Sequence, residues 1–331
     1  MYIGFYTQEE IVAIGEDDAG IVENNAFVHK QQLKDLSKVI FHHNSEQFEI
    51  KLTRDGLFAL QLKEVEREFP QSKEVKDFDG DKSREKWRLY VDHINAFQVA
   101  LMTSSLNVVF KSNLAGIHDI TRDDVLTLNA KMHAEGLWSS GNTVATRIYR
   151  DAPLHALTAS KFLCIEHFNL CIDIFSEVLL NGSITHVANM GRSLVHYKTG
   201  NNNLALAIAW FEIESLLKRR LRGYIQSPEN NYIVNKDTGA KRFNKSRCDY
   251  LADSTEVALV AELLELLGLI DFETYKEVSV CRKHRNGMVH GSISVVKTEV
   301  ARRCIKLLVN LINLEFNSSL KICTNQSMTL I

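Results

Sequence analysis

The stretch from Leu204 to Leu221 contains no helix breaker and repeats Ala205, Ile208, Ala209, Phe211, Ile213, Leu216 and Leu217 at a helical period. Such a face has to be buried against other helices. Three prolines and 16 glycines in 331 residues leave room for more segments of this kind. Similar periodicity predicts helices from Ser83 to about residue 110, from Thr121 to about Ala134, from Leu157 to Leu180 and from Ser183 to about Tyr197. Two more are expected from Ser254 or Thr255 through Leu267 and from Val296 to Phe316, so the fold class is mainly α. Ser83, Thr121 and Ser183 stand where helix caps belong.

The first 75 residues differ. Tyr2–Tyr6, Ile11–Ile14, Val39–Phe41 and Phe48–Leu52 are short apolar or alternating runs, with turns expected at Asp17–Gly20 and Asp55-Gly56. The expected organisation is a small N-terminal mixed α/β or mainly β module over 1–76 and a helical middle region over 77–188. A C-terminal antiparallel helical bundle with a loose tail follows over 189–331. A long loop is expected over Gly136–Pro153.

A net charge of −2 excludes a protein that coats nucleic acid by bulk electrostatics. The charge is uneven, however. Between Leu216 and Arg247 stand nine cations, Lys218, Arg219, Arg220, Arg222, Lys236, Lys241, Arg242, Lys245 and Arg247, against Glu229 and Asp237. That is either a polyanion footprint or a solvated loop with helix-end cations. No apolar run reaches membrane-spanning length, so no membrane partner is expected. The six cysteines never form a C-x2-C pair and read as reduced thiols of a cytoplasmic protein.

Three patterns invite a metal and are rejected. His42-His43 has no second ligand pair at zinc-like spacing. Glu49-Ile50-Lys51 imitates the end of a metal-nuclease site, but an alternating strand explains it better. Asp77–Ser83 opens like a calcium loop, yet Arg88 stands where the bidentate Glu is needed. No metal and no cofactor is expected.

The segment Arg282-Lys283-His284-Arg285-Asn286-Gly287-Met288-Val289-His290-Gly291 gathers the chemistry. Arginine forks onto phosphate oxygens, asparagine donates and accepts, and histidine titrates near neutrality. Arg-x4-His alone is a chance-level pattern, as Arg88/His93 and Arg150/His155 show. Here Asn286 follows Arg285 directly, Met288-Val289 precedes His290, and the segment comes after the helix Ala205–Leu217 and the run Leu263–Ile270. Over about Asn189–Phe316 the chain resembles the HEPN superfamily of small helical-bundle proteins, many of them ribonucleases of bacterial defence and toxin–antitoxin systems.

The resemblance implies a dimeric, metal-independent endoribonuclease of the abortive-infection or toxin type, with Arg285, Asn286 and His290 as its motif. His290 would serve as general acid or base and Arg285 would stabilise charge on the phosphate, with the ribose 2′-hydroxyl attacking. Asn286 would hold the pair in place. Glu214, or its neighbour Glu212, would meet Arg285 if it pointed inward. Lys218, Arg219, Arg222, Lys241, Arg242, Lys245, Arg282 and Lys283 would contact RNA. The N-terminal half would bind a trigger of phage origin or an antitoxin. The alternative is a non-catalytic bundle for dimerisation, nucleotide or RNA binding, in which Asn286 caps its helix and Arg285 and His290 pair with Glu212 or Glu214. The polar insertion after Arg222 departs from the family pattern.

Overall fold

The computed structural model describes residues 1–7, 11–15, 28–29, 35–70, 80–107, 116–132, 158–159, 161–235 and 237–324. The turn expected at Asp17–Gly20, Asp77–Asp79, the loop over Gly136–Pro153, Arg150, His155 and Lys236 lie outside these. The chain divides into two compact units, Met1–Gly191 with Leu320–Cys323, and Arg192–Ser319.

The first unit is built on an antiparallel sheet of β1 (Tyr2–Phe5), β4 (Val39–Asn44), β5 (Phe48–Thr53), β6 (Phe58–Leu62) and β7 (Leu126–Leu128), in the order β4-β5-β6-β1-β7. Strands β2 (Ile11–Ala13) and β9 (Lys161–Leu163) pair parallel, and β3 (Val28–His29) and β8 (Thr158–Ala159) pair antiparallel. In β5, Phe48, Ile50 and Leu52 are fully buried while Glu49 and Lys51 alternate with them on the opposite face. Helices α1 (Lys63–Glu68), α2 (Gly80–Asn107) and α3 (Ile165–Leu180) complete the unit.

Phe97 of α2 packs against Phe5, Phe58 and Phe175 with ring centroids 5.9, 5.3 and 5.3 Å away. The five-stranded sheet and helices α2 and α3 therefore share one core, which joins residues from the segments expected as separate regions over 1–76 and 77–188.

Three local expectations are corrected. Helix α2 begins at Gly80, so Ser83 lies inside it. Thr121 caps as expected, in a capping box with Asp124, but it closes only a 3-10 turn over Arg122–Asp124. At Val125 the backbone turns extended, and Leu126–Leu128 joins the edge of β1 as β7. Sheet pairing outweighs the local helix signal there. Likewise, Thr158–Ala159 and Lys161–Leu163, within the helix expected from Leu157, are strand, and α3 starts at Ile165.

Helix α4 (Ile184–Lys198) carries the chain into the second unit. That unit holds α5 (Asn202–Gln226), the hairpin β10 (Ile233–Asn235) and β11 (Ala240–Lys241), α6 (Lys245–Asp249), and a wide turn over Tyr250–Ser254. Then follow α7 (Val257–Leu266), α8 (Phe272–Val289) and α9 (Thr298–Phe316). Trp210, Ile213 and Leu217 of α5, Leu264 of α7, Cys281 of α8 and Leu308 and Ile312 of α9 are all buried in the helical core. Phe211, expected on the core face of α5, is instead 63% exposed. Among the described residues no helix is long and apolar enough to cross a membrane.

Candidate functional site at the end of α8

Helix α8 begins at Asp271, whose Oδ1 accepts from Thr274 N at 2.7 Å. The backbone amide and hydroxyl of Thr274 hold that carboxyl below its ordinary range. Such caps contribute about 1 kcal/mol. The helix ends at Val289 with His290 as its cap residue, and Gly291 follows at φ +74°. His290 N donates to Asn286 O at 2.9 Å, and Gly291 N donates to Met288 O at 3.2 Å. Ile293 N and Ser292 Oγ then both donate to the Gly287 carbonyl, at 3.0 and 3.1 Å. Gly287 permits this closure, because a Cβ there would stand 2.6 Å from Ile293 Cδ1.

The loop after the motif is clipped to the start of α5. Asn203 Nδ2 donates to Ser294 O at 2.9 Å, and its Oδ1 accepts from Val296 N at 2.8 Å. Asn202 Nδ2 donates to Thr298 Oγ1 at 3.1 Å, while Asn201 caps α5 by accepting from Leu204 N at 3.3 Å. The asparagine run that reads as a simple break thus fixes the backbone beside the motif.

Within the motif, Arg285 is partly buried and its Nη1 donates to Asn286 Oδ1 at 3.1 Å. His290 is exposed at the helix terminus, one turn beyond Asn286. Helical geometry sets Arg285 and His290 about 140° apart around the axis, while Asn286 lies only about 40° from His290, one turn back. Asn286 lies inside α8 and does not cap it. The motif therefore offers an ordered Arg–Asn pair and a solvent-accessible imidazole at one helix end.

Glu214 forms an ion pair with Lys218 of its own helix at 2.9 Å, rather than with Arg285. Other α5 cations are also matched to carboxylates. Arg219 and Arg220 share Glu315 at 3.2 Å each, and Arg222 binds Asp253 closely and Asp249 at 3.3 Å. Lys241, Arg242 and Lys245 are exposed on and beside the hairpin, and Lys283 is exposed next to half-buried Arg282 on α8.

Sequence reasoning missed the contacts that hold α8 to α9. Glu277 and Arg303 form a two-pronged ion pair at 2.9 and 2.7 Å. The Arg303 guanidinium holds the Glu277 carboxyl below its ordinary range. Cys281 and Cys304 are both buried, and the Cys281 thiol together with burial pushes Cys304 well up. Only the spacing Glu277, Cys281, Arg285, successive turns of one helix side, hinted at this face.

In the first unit, His42 Nε2 and Lys51 Nζ approach Glu49 Oε1 at 2.9 and 3.1 Å, and Lys51 donates to Tyr2 Oη at 2.8 Å. The His42–Glu49 contact joins neighbouring β4 and β5, and the Lys51–Tyr2 bond reaches from β5 across β6 to β1. Among the described residues no three His, Cys, Asp or Glu side chains converge as metal ligands.

No family model, curated protein or solved structure matches this chain. The chemistry of the second unit therefore has to be read from its own side chains.

Proposed function

We propose that the C-terminal unit is a metal-independent endoribonuclease of the HEPN type, active in bacterial defence or as a toxin. The observation that carries the reading is the Arg285–Asn286 pair at 3.1 Å with exposed His290 one turn onward. A ribose 2′-hydroxyl attacks the adjacent phosphorus, His290 moves the proton, and Arg285 meets the charge that develops on the phosphate oxygens. Asn286 orients the guanidinium.

One histidine per chain supplies an acid or a base, and a homodimer supplies both. Exposed apolar Val289, Val295 and Leu204, on the motif helix, its following loop and the start of α5, are available for such a contact. The N-terminal unit receives the trigger or neutralising partner in this reading, and the protein works in the cytoplasm.

Purified protein incubated with mixed RNA in excess EDTA tests the proposal. Cleavage is expected, and it is lost in Arg285→Ala and His290→Ala variants that keep the parent's circular dichroism spectrum. DNA of the same sequence, lacking the 2′-hydroxyl, stays intact. RNA that survives with every trigger supplied rejects the nuclease in favour of a non-catalytic binding bundle, and RNA cut equally by His290→Ala rejects this site as the source of cleavage.

A further inference from the structure

The insertion after Arg222 forms a structured projection. An isolated two-stranded hairpin is marginal in water, yet this one is anchored at its base. Asn230 Nδ2 donates to Tyr224 O and Ser227 Oγ, both at 3.0 Å, and Phe243 N donates to Asn231 Oδ1 at 2.8 Å. Arg242 N donates to Tyr232 O at 2.9 Å, which sets Tyr232 beside Arg242 across the ladder.

The side chains this presents are unusual for a plain connector. Tyr232, Ile233 and Val234 are 53, 55 and 57% exposed. The Arg242 guanidinium lies 5.0 Å from the Phe243 ring and 5.9 Å from the Tyr232 ring, and Arg247 lies 4.8 Å from Phe243 on its own account. Residues 240–247 hold Lys241, Arg242, Lys245 and Arg247 and no carboxylate. Four cations interleaved with aromatic faces match a chain of phosphates with unstacked bases. A purely polar connector has no use for an exposed tyrosine with a guanidinium 5.9 Å from its ring centre.

We infer that the β10–β11 hairpin is an arm that binds single-stranded RNA, with Tyr232 stacking on a base and Lys241, Arg242, Lys245 and Arg247 following the backbone. The inference rests on the proposed function only in naming RNA as the polymer, and it adds the strandedness of the substrate. Duplex RNA keeps its bases stacked on one another, which leaves Tyr232 nothing to cover.

The test uses the full chain carrying His290→Ala, so that RNA is not consumed, and fluorescence anisotropy with a labelled oligouridylate of about 12 nucleotides. Tyr232→Ala is expected to weaken binding roughly tenfold, the scale of one lost stacking contact, while Tyr232→Phe binds like the parent. Lys241→Gln and Arg242→Gln are each expected to lower the slope of log affinity against log salt by about 0.7. A self-complementary duplex of equal length is expected to bind more weakly and to ignore Tyr232→Ala.

Equal binding by Tyr232→Ala and the parent, or no RNA binding by the parent, overturns the arm and leaves the hairpin as a surface for a protein partner. The two proposals fail separately. Tyr232-dependent binding without cleavage by the His290 form sinks the nuclease alone, and His290-dependent cleavage with binding indifferent to the hairpin sinks the arm alone.

Discussion

Replacing Asn203 by alanine should loosen the motif end of the helical bundle without touching the motif. The side chain makes two hydrogen bonds across the gap, to Ser294 O and from Val296 N, at 2.9 and 2.8 Å. Val296 is buried, so stripping the acceptor from its amide costs about 1–3 kcal/mol. The exposed Ser294 carbonyl turns to water and loses about 0.5 kcal/mol. Alanine is the better helix former at this first-turn position and returns about 0.5 kcal/mol. The net loss is about 2 kcal/mol, or roughly 6–10 °C in the unfolding midpoint of a unit this size. With Trp87 and Trp138 changed to Phe, the fluorescence of buried Trp210 reports that unit alone in denaturant titrations. Asn203→Asp keeps the acceptor for Val296 and places a negative charge at a helix start, but turns a carboxylate oxygen toward the Ser294 carbonyl in place of a donor, so it should lose about 1 kcal/mol, less than Asn203→Ala. Asn202→Ala, which removes a single exposed bond, should cost less than Asn203→Ala. If Asn203→Ala and Asn203→Asp lose the same stability, the amide of Val296 does not depend on this clip and the reasoning is wrong.

Phe97→Ala removes the ring that Phe5, Phe58 and Phe175 surround; a loss of about 3–5 kcal/mol is expected in the first unit, measured by near-ultraviolet dichroism during unfolding. Glu277, held below its ordinary value of 4.5 by Arg303, stabilises the fold above that pH and loses the contribution as its carboxylate is protonated in acid. Because both partners are over a third exposed, Glu277→Gln should cost under about 1 kcal/mol at pH 7 and progressively less as the pH falls below 4.5, read as the gap between two denaturation midpoints. His43, His93 and His118 are pushed below 6.5 by burial, so the folded first unit resists their protonation. Its stability is full above pH 6.5 and falls as the pH drops below it; Trp87 fluorescence should show an earlier transition at pH 5 than at pH 7, with a smaller gap in His118→Gln.

The elements legible in the sequence are those whose signal is periodic and long. The helix around Leu204–Leu221, the terminal helix and the β5 alternation all appear, and Gly268 and Gly291 end helices where the sequence places a stop. What escaped was decided by partners distant in the chain. Leu126–Leu128 follows a sound capping box, and only the free edge of β1 makes it a strand. Phe211 fits the helical stripe of α5, but the stripe is wider than the surface its neighbours cover. At the candidate site, the residue types and the helix end were readable, since Arg, Asn, His and Gly carry their own chemistry. The ionic partners were not: Glu214 had two cations within reach on paper, Arg285 and Lys218, and the nearer turn of its own helix supplies the one it meets.

The ion pairs of α5 change where an anionic polymer would first be attracted. A cation whose carboxylate partner sits about 3 Å away contributes little field beyond a Debye length, which is about 8 Å at physiological salt. Lys218, Arg219, Arg220 and Arg222 are in that condition, through Glu214, Glu315, Asp249 and Asp253. The basic stretch that looks continuous in the sequence is therefore split into a neutralised helical half and a hairpin half with no carboxylate between residues 240 and 247. Steering of RNA, in the proposed function, falls to the hairpin, while Arg282 and Lys283 act close to Arg285. Changing Lys218 or Arg219 should then disturb packing at the α5 surface more than it disturbs association, and charge removal on the hairpin should do the reverse.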